Sequence, residues 1–207
     1  MKIAVLAANG RSGRVFIEHA LAAGHEIRAG VYHTNTLTPH AHLEIQHCDA
    51  GSRDDVRALL KGADAVVSFI GHVKGSDHRV QRDAMNVLVP AMREGGIRRV
   101  ISLTGTGVRF PGDIIGLVDR FLNFGVAMVD PDRVQDGIEH VEILKASNLD
   151  WTILRVLKLQ DFKSRPFVLA EHGPTRWFVN RNEVAQAVLQ VLREQSFIQA
   201  APILSKS

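Results

Sequence analysis

Two glycines follow the first apolar run of the chain at a spacing that suits contact with phosphate groups. Residues 7–14 read AANGRSGR, so Gly10 and Gly13 stand three positions apart. Gly10 would let backbone amides approach a pyrophosphate, and Gly13 would let a helix begin close to the preceding strand, with its positive end toward the phosphates. Ala7 stands where the usual fingerprint has its first glycine. The segment predicts a dinucleotide-binding turn or, alternatively, an ordinary tight strand-to-helix turn.

The chain has one tyrosine, Tyr32, and position 36 is a threonine. Many dehydrogenases and sugar epimerases use a Tyr-x-x-x-Lys pair, in which the lysine lowers the tyrosine pKa so that the phenol exchanges a proton with the substrate. The sequence cannot supply that pair. Reduction of an electron-poor conjugated ring, such as a flavin, a quinone or a linear tetrapyrrole, needs no protein acid, because the protein has only to stack the acceptor on a nicotinamide and exclude water.

Asp136 and His140 form a candidate acid pair. They stand four residues apart in a segment with helical spacing, so both side chains would lie on one face of the helix. The pair would donate a proton to a reduced acceptor, or it would be a partly exposed helix pair with no chemical role. The His-Glu-x-x-His, P-loop and Gly-x-Ser-x-Gly signatures do not occur, which argues against metalloprotease, nucleotide hydrolase and serine esterase chemistry.

Histidines gather near the single cysteine, at His40, His42, His47 and Cys48. Imidazole and thiolate are ligands of zinc, but the same residues fit a loop that contains Pro39, followed by a strand. We favour the loop and strand and expect no metal site. One cysteine cannot close an intramolecular disulfide, which suits a reducing, cytoplasmic compartment.

Strands and helices must alternate along the chain to position these residues. Apolar runs rich in Val, Ile and Leu occupy 3–7, 27–32, 43–48, 65–70, 100–103 and 151–156, and segments with helical spacing occupy 13–23, 53–61, 78–94, 132–147 and 182–194. Ser52 with Asp55, and Asn180 with Glu183, add capping signals to two of these helices. Runs without polar alternation indicate strands covered on both faces. The pattern predicts an α/β fold, a Rossmann-type doubly wound parallel sheet in a single domain over residues 1–207.

Composition limits the possible partners. The 207 residues are 45% hydrophobic and 23% charged, which suits an ordered chain with a substantial core. The net charge of +3 is too small for a polycationic surface, so we expect no nucleic acid partner. The apolar runs are shorter than the roughly 18 to 20 residues that span a bilayer, so we expect no membrane partner. A small-molecule acceptor is expected, bound by a monomer or a homodimer.

The order of several short motifs resembles a known family. AANGRSG at 7–13 is similar to the G-A-T-G-x-x-G loop of the atypical short-chain dehydrogenase/reductases, particularly the NAD(P)H-binding group that contains flavin reductase/biliverdin reductase B and the NmrA-like proteins. Further matches follow in order at Asp49, 62–67 (GADAVV), Gly71, Asn86, 96–101 (GIRRVI), 147–155 (SNLDWTILR) and 180–185 (NRNEVA). The resemblance covers nearly the whole chain and implies a Rossmann fold that binds NAD(P)H.

The resemblance also implies which residues bind the cofactor: Ala8, Asn9, Gly10, Arg11, Ser12, Gly13, Tyr32, His33, Asp49, Gly71 and Thr104. The phosphates would lie against residues 10–13. Thr104 and Thr106 follow the fifth predicted strand, where the family places a hydroxyl near the nicotinamide. Turn capping is the alternative role of both threonines.

The choice between the two nicotinamide dinucleotides depends on the end of the second strand. A carboxylate there would bind the ribose hydroxyls of NAD, but the strand ends with Tyr32 and His33. NADP(H) is therefore the preferred cofactor and NAD(H) remains possible. Arg11 and Arg14 would pair with the 2′-phosphate, since a guanidinium group offers a planar fork to phosphate, or they would be solvated side chains at a helix start.

An apolar segment with few charges covers residues 108–129, after the fifth predicted strand. Its apolar side chains are Phe110, Ile114, Ile115, Leu117, Val118, Phe121, Leu122, Phe124, Val126 and Met128. The segment would form the wall of an acceptor pocket beside the nicotinamide, a self-association surface, or part of the core.

The sequence leaves two candidate functions. The first is an NADPH-dependent oxidoreductase that transfers hydride to a conjugated acceptor such as a flavin or quinone, with Thr104 and His140 in the catalytic site. The second is a non-catalytic NAD(P)H-binding regulatory or redox-sensing protein, as the similarity to NmrA-like proteins implies. The family's Tyr-Lys positions correspond to Arg133 and Gly137, which is compatible with both functions. The short chain favours the reductase, because little sequence remains for a partner-binding domain.

Overall fold

A mostly parallel sheet organises the chain. The computed structural model describes residues 1–73, 75–114, 116–161 and 163–206, except for the side chains at 118, 122, 123, 126, 127, 129 and 206. The strands of the central sheet are β1 (Lys2–Leu6), β2 (Glu26–Val31), β3 (Leu43–His47), β4 (Ala65–Ser68), β5 (Arg99–Gly105), β6 (Asp150–Val156), β8 (Phe167–Ala170) and β10 (Ile203–Lys206). Their spatial order is β3-β2-β1-β4-β5-β6-β10-β8. The short strands β7 (Lys158–Gln160) and β9 (Phe178–Asn180) pair with each other separately.

Helices cover both faces of this sheet. They are α1 (Arg11–Ala22), α2 (Arg53–Leu60), α3 (Val80–Glu94), α4 (Leu117–Val129), α5 (Pro131–Lys145) and α6 (Arg181–Glu194). On one face α1 packs against α6, and on the other α3 packs between α2 and α5. In the described part of the chain, no helix is both long enough and apolar enough to cross a membrane.

The uninterrupted apolar strand runs follow from this double cover. Ile3 and Val5 of β1 belong to the core beneath α1 and α6, whereas Ala4 and Leu6 belong to the core beneath α2, α3 and α5. Successive strand residues point to opposite faces, and all four of these side chains are buried. A strand with two buried faces therefore shows no polar alternation.

The predicted doubly wound α/β fold is confirmed, and the structure adds elements that the sequence did not predict. Residues 203–206 extend the sheet beyond β6, and β8 pairs antiparallel with them, so the sheet is not wholly parallel. Their positions are defined by pairing with each other and with β6, which the local sequence does not show. The apolar segment also contains an unpredicted helix, α4.

The strand order creates one topological switch point. The chain runs from β1 outward to β2 and β3, then returns to β4 on the other side of β1. Helices leave β1 and β4 toward opposite faces, so a crevice opens at the carboxyl ends of these two strands. The predicted cofactor residues follow strand ends at this edge of the sheet.

Candidate functional site

The turn between β1 and α1 contains the backbone predicted to bind phosphates. Ala7 has a left-handed backbone, with a φ of 54°, and its carbonyl oxygen accepts a 3.0 Å hydrogen bond from the Gly10 amide. Glycine adopts that conformation without strain, which explains the first glycine of the usual fingerprint. A Cβ atom at Gly13 would lie 2.5 Å from the carbonyl oxygen of Ala8 and 2.6 Å from that of Ala7. Only glycine therefore lets α1 start this close to β1.

The first turn of α1 offers backbone amides to an external anion. Its N-cap residue, Gly10, has no side chain that could accept from these amides, and the first turn has no acidic residue. By contrast, α2, α5 and α6 begin with Ser52, Asp130 and Asn180, whose side chains accept from amides of their own helices. The helix dipole also favours negative charge at this end. These features fit the pyrophosphate of a dinucleotide.

Asn9 joins this turn to the segment after β2. Its Nδ2 donates to the Thr34 carbonyl oxygen at 2.9 Å, and its Oδ1 accepts from the Thr36 amide at 3.1 Å and the Thr36 hydroxyl at 2.7 Å. Tyr32 and His33 are exposed, with their rings 4.4 Å apart. Asn9, Tyr32 and His33 thus lie together where the ribose of an adenosine would be bound in this fold, and none of them is acidic.

A cleft of about 370 Å³ extends from the start of α1 across the carboxyl ends of β4, β5 and β6. The predicted site residues that line it are Arg11, Ser12, Gly71, Thr104 and Thr106. Ile70, Leu103 and Val108 contribute apolar surface, and Arg133 and Lys158 add positive charge. The cleft therefore combines an anion-binding end with a mixed apolar and basic end.

Thr104 is 5% exposed and packs against α5. A Cβ atom at Gly137 would lie 2.8 Å from Thr104 Oγ1 and 2.9 Å from Val108 Cγ2, so glycine at this position leaves room for both side chains. Arg133, one turn earlier on α5, is exposed and lines the cleft. Helix α5 thus places the Arg133 side chain in the cleft and the Gly137 backbone against the end of β5.

Two other predicted residues have partners in local structure. Asp49 follows β3 and accepts a 2.8 Å hydrogen bond from the Gly51 amide, which closes the turn before α2. Thr106 is fully buried, and its hydroxyl lies 3.4 Å from Asp119 Oδ1. Both side chains stabilise turns at the rim of the crevice.

A contact between a histidine and a carboxylate that the sequence did not predict lies at the cleft. Nε2 of His72, a residue that lines the cleft, is 2.8 Å from Oδ2 of Asp136 on α5. The Asp136 carboxylate also accepts hydrogen bonds from the amides of Gln81 (3.0 Å) and Arg82 (2.8 Å), at the start of α3. No sequence pattern could reveal the pair, because the two residues are 64 positions apart and belong to no common motif.

The predicted pairing of Asp136 with His140 was wrong. His140 Nε2 lies 2.9 Å from the Ser102 hydroxyl instead, because the Asp136 carboxylate points to α3 and His72. His140 is 1% exposed and is not among the residues that line the cleft. Burial lowers the pKa of His140 to about 4, an effect that the negative charge of Asp136 only partly opposes. His140 is therefore neutral near pH 7 and poorly suited to donate a proton.

The predicted pocket wall was wrong for the described side chains of α4. Leu117, Phe121, Phe124 and Met128 are 65–83% exposed and do not line the cleft. Within 108–129, the described residue that lines it is Val108. Ile115 lies outside the described residues, as do the side chains of Val118, Leu122 and Val126.

Comparison with known proteins identifies the family. A model of the NAD(P)H-binding family matches residues 7–195. The chain belongs to the NAD(P)H-binding family. This confirms the resemblance found in the motifs at the level of the NAD(P)H-binding group. The matched region includes the β1–α1 turn and every strand end that forms the cleft.

Solved structures agree in fold with this member of the NAD(P)H-binding family. A short-chain dehydrogenase/reductase from Veillonella parvula in complex with NADP is 20% identical, with a TM-score of 0.83 over 99% of this chain and 94% of the other. An anaerobilin reductase from Escherichia coli O157:H7 is 21% identical, with a TM-score of 0.82 over 100% and 97%. Among curated proteins, an uncharacterized chloroplastic protein of Arabidopsis thaliana is 25% identical over 100% of this chain and 77% of its own length.

Replacing Gly13 with alanine tests the close approach of α1 to β1. The added methyl group would overlap two backbone carbonyl oxygens, so we expect the free energy of unfolding to fall by about 1–3 kcal/mol. The helix start must also shift, so we expect dinucleotide affinity to fall by about tenfold or more. Urea unfolding and calorimetric titration measure the two effects.

Gly95→Ala is the matched control for this variant. Gly95 ends α3 at a φ of −79°, and a Cβ atom there would lie 3.4 Å from the nearest backbone oxygen. We expect this variant to bind the dinucleotide as the wild type does. Wild-type affinity in Gly13→Ala would show that the start of α1 is not fixed by this contact.

The lowered pKa of His140 predicts a dependence of stability on pH. In the unfolded chain the imidazole titrates near 6.5, whereas in the folded chain it titrates near 4. Between these values the unfolded state binds more protons, so the free energy of unfolding falls as pH decreases, by roughly 3 kcal/mol in total, and is constant above the window. Urea unfolding of the wild type and His140→Gln across this range measures the effect. Equal slopes in the two proteins would contradict the prediction.

Proposed function

We propose that this protein is a single-domain, NADPH-dependent reductase of a conjugated small-molecule acceptor such as a flavin, a quinone or a linear tetrapyrrole. The observation that carries the proposal is the continuous cleft, which begins at the uncapped start of α1 and ends beside Thr104 at the end of β5. A dinucleotide bound in this fold would have its phosphates at the first position and its nicotinamide near the second. Space over the nicotinamide would then hold the acceptor.

Different residues along the cleft would bind the phosphates, contact the nicotinamide and exclude water. Backbone amides of residues 10–13 would bind the pyrophosphate, and Thr104 would direct its hydroxyl toward the nicotinamide amide. When bound, the reduced nicotinamide supplies two electrons and a hydrogen to the acceptor. Ile70, Leu103 and Val108 would exclude water and stack against an apolar ring.

The acceptor class follows from the residues that α5 presents. At the positions where relatives with alcohol or sugar substrates have tyrosine and lysine, this chain has Arg133 and Gly137. A lysine at 137 would collide with Thr104 and Val108, so the phenol-based proton exchange has no structural counterpart here. An electron-poor conjugated acceptor does not need that exchange. The anaerobilin reductase of similar fold supports an acceptor of this class.

Preference for NADPH over NADH is supported by the composition around β2. The segment that follows the strand has no carboxylate through Thr36, and Asn9 holds it against the phosphate-binding turn. Arg11 lines the cleft and also a larger groove of about 820 Å³ on the outer side of α1, whereas Arg14 lines the groove but not the cleft. Thr36 lines the groove as well, and Arg11 lines both spaces, so we assign Arg11 as the partner of a 2′-phosphate.

Binding followed by turnover tests the reductase against the regulatory alternative. We expect NADPH to bind in calorimetric titration and its absorbance to fall when a panel of flavins, quinones and linear tetrapyrroles is added. Tight binding of NADPH without oxidation by any acceptor would favour a redox-sensing protein. No binding of either dinucleotide would reject both functions.

Arg11→Ala tests the cofactor preference, with Arg14→Ala as the matched control. Loss of a charge-assisted contact to the 2′-phosphate should weaken NADPH binding by about tenfold, the equivalent of about 1.4 kcal/mol, and leave NADH binding unchanged. Arg14→Ala should weaken NADPH binding less than Arg11→Ala does, since its side chain lines the groove but not the cleft. An equal loss of NADPH and NADH affinity in Arg11→Ala would assign the arginine to the pyrophosphate instead.

A further inference from the structure

We propose that His72 donates the proton that the acceptor takes up on reduction, and that Asp136 is its positioning residue. The inference rests on the proposed reductase function and names a catalytic group for it. His72 lines the cleft at the end of β4, and its Nε2 atom lies 2.8 Å from the Asp136 carboxylate. The histidine side chain is 9% exposed, so the ring is held in place but reachable from the cleft.

The surroundings of Asp136 determine which ring nitrogen of His72 carries the hydrogen. Its side chain is fully buried and accepts hydrogen bonds from the Gln81 and Arg82 amides, at the positive end of α3. A carboxylate in this setting only accepts, so His72 Nε2 must be the donor in the contact between them. The other nitrogen, Nδ1, has no hydrogen-bond partner among the described residues and is left to exchange protons with the cleft.

Consecutive residues of α5 bring this histidine close to the nicotinamide end of the cleft. Asp136 contacts His72, and the next residue, Gly137, packs against Thr104 Oγ1. Gln81 strengthens the arrangement, because its Nε2 donates to the carbonyl oxygens of Ile70 (3.1 Å) and Leu103 (3.0 Å), at the ends of β4 and β5. One helix and one buried amide thus hold His72, in the loop after β4, and Thr104, near the end of β5.

Among the described residues, Asp136 is the charged group that His72 contacts directly. Arg82, from α3, directs its guanidinium to Asp83 and to Glu139 of α5. Arg133, also from α5, lines the same cleft and adds positive charge near the acceptor. Asp136 thus contacts one nitrogen of the ring, and Arg133 adds positive charge to the cleft that His72 lines.

The proton step balances the reduction. The acceptor gains two electrons and a hydrogen from the reduced nicotinamide, and a proton from His72 Nδ1 on its oxygen or nitrogen. His72 becomes neutral, keeps its Nε2 hydrogen on Asp136, and regains a proton from water. One NADPH and one proton are consumed for each acceptor reduced to its dihydro form, so the reaction takes up acid overall.

A purely structural role for His72 would be to complete the cap at the start of α3. His72→Gln separates the two roles, because the glutamine amide can still donate to Asp136 but cannot deliver a proton. His78→Gln is the matched control: His78 is exposed in the same connection and pairs loosely with Asp77 at 3.7 Å. Thermal unfolding should show both variants folded, with NADPH affinity within about twofold of the wild type.

Quinone reduction as a function of pH measures the proton step. We expect the wild-type kcat to decline as pH rises, because the step consumes a proton. We expect kcat of His72→Gln to be about tenfold or more lower and to lose that decline, and His78→Gln to keep the wild-type kcat and pH profile. A wild-type rate and pH profile in His72→Gln would overturn the role of His72 and leave the reductase intact. NADPH binding without turnover in the wild type would overturn the reductase and this inference together.

Ring tautomers provide a readout without cofactor or acceptor. In a two-dimensional ¹H–¹⁵N spectrum of the histidine-labelled protein, the resonances lost in His72→Gln identify His72. We expect its neutral form to carry hydrogen on Nε2, and Asp136→Asn to weaken that preference. A neutral ring with hydrogen on Nδ1 in the wild type would contradict the proposed orientation.

Discussion

The contact between the backbone of Gly13 and the carbonyl oxygens of Ala7 and Ala8 determines where α1 begins. A side chain at position 13 has no space, so the helix can approach β1 closely only with glycine there. This approach points the amides of the first helical turn across the carboxyl ends of β1 and β4, the switch point of the sheet. The position of the cleft follows from that contact and, in the proposed function, so do the direction of the dinucleotide and the location of the acceptor.

Helix α5 fixes the opposite end of the cleft through polar contacts of one buried carboxylate. The carboxylate of Asp136 lies at the start of α3, where two amides lack partners inside their own helix. The Asp136 carboxylate bonds to these amides and to His72, and not to His140, which lies one turn away on the same helix. The reason is that a buried carboxylate is stabilised most by several donors and a helix dipole. His140 is thereby left with the Ser102 hydroxyl and with a pKa lowered by burial.

The sequence predicts the elements whose signals are local. Uninterrupted apolar runs identified the buried strands, and Asn180 with Glu183 identified the start of α6, where the structure has a full capping box. The glycine spacing likewise predicted the tight turn between β1 and α1. The partner of Asp136 was not predictable, because spacing along a helix shows which side chains share a face but not which donors another helix brings to it. The four-residue strands β8 and β10 were missed because their positions depend on pairing.

The wall of the acceptor end is held by buried charge. Arg155 is fully buried on β6 and makes two contacts with Asp113, at 2.5 and 2.8 Å, while its guanidinium lies 4.7 Å from the centre of the Phe110 ring. Burial opposes ionisation of Asp113, but the hydrogen bonds from Arg155 lower its pKa, so the pair stays charged. The segment after β5 is therefore tied to the sheet by a bidentate ion pair as well as by the apolar packing of Val108 and Phe110. Because the two hydrogen bonds of such a pair fix its geometry, the pair helps to position the loop that brings Val108 to the cleft.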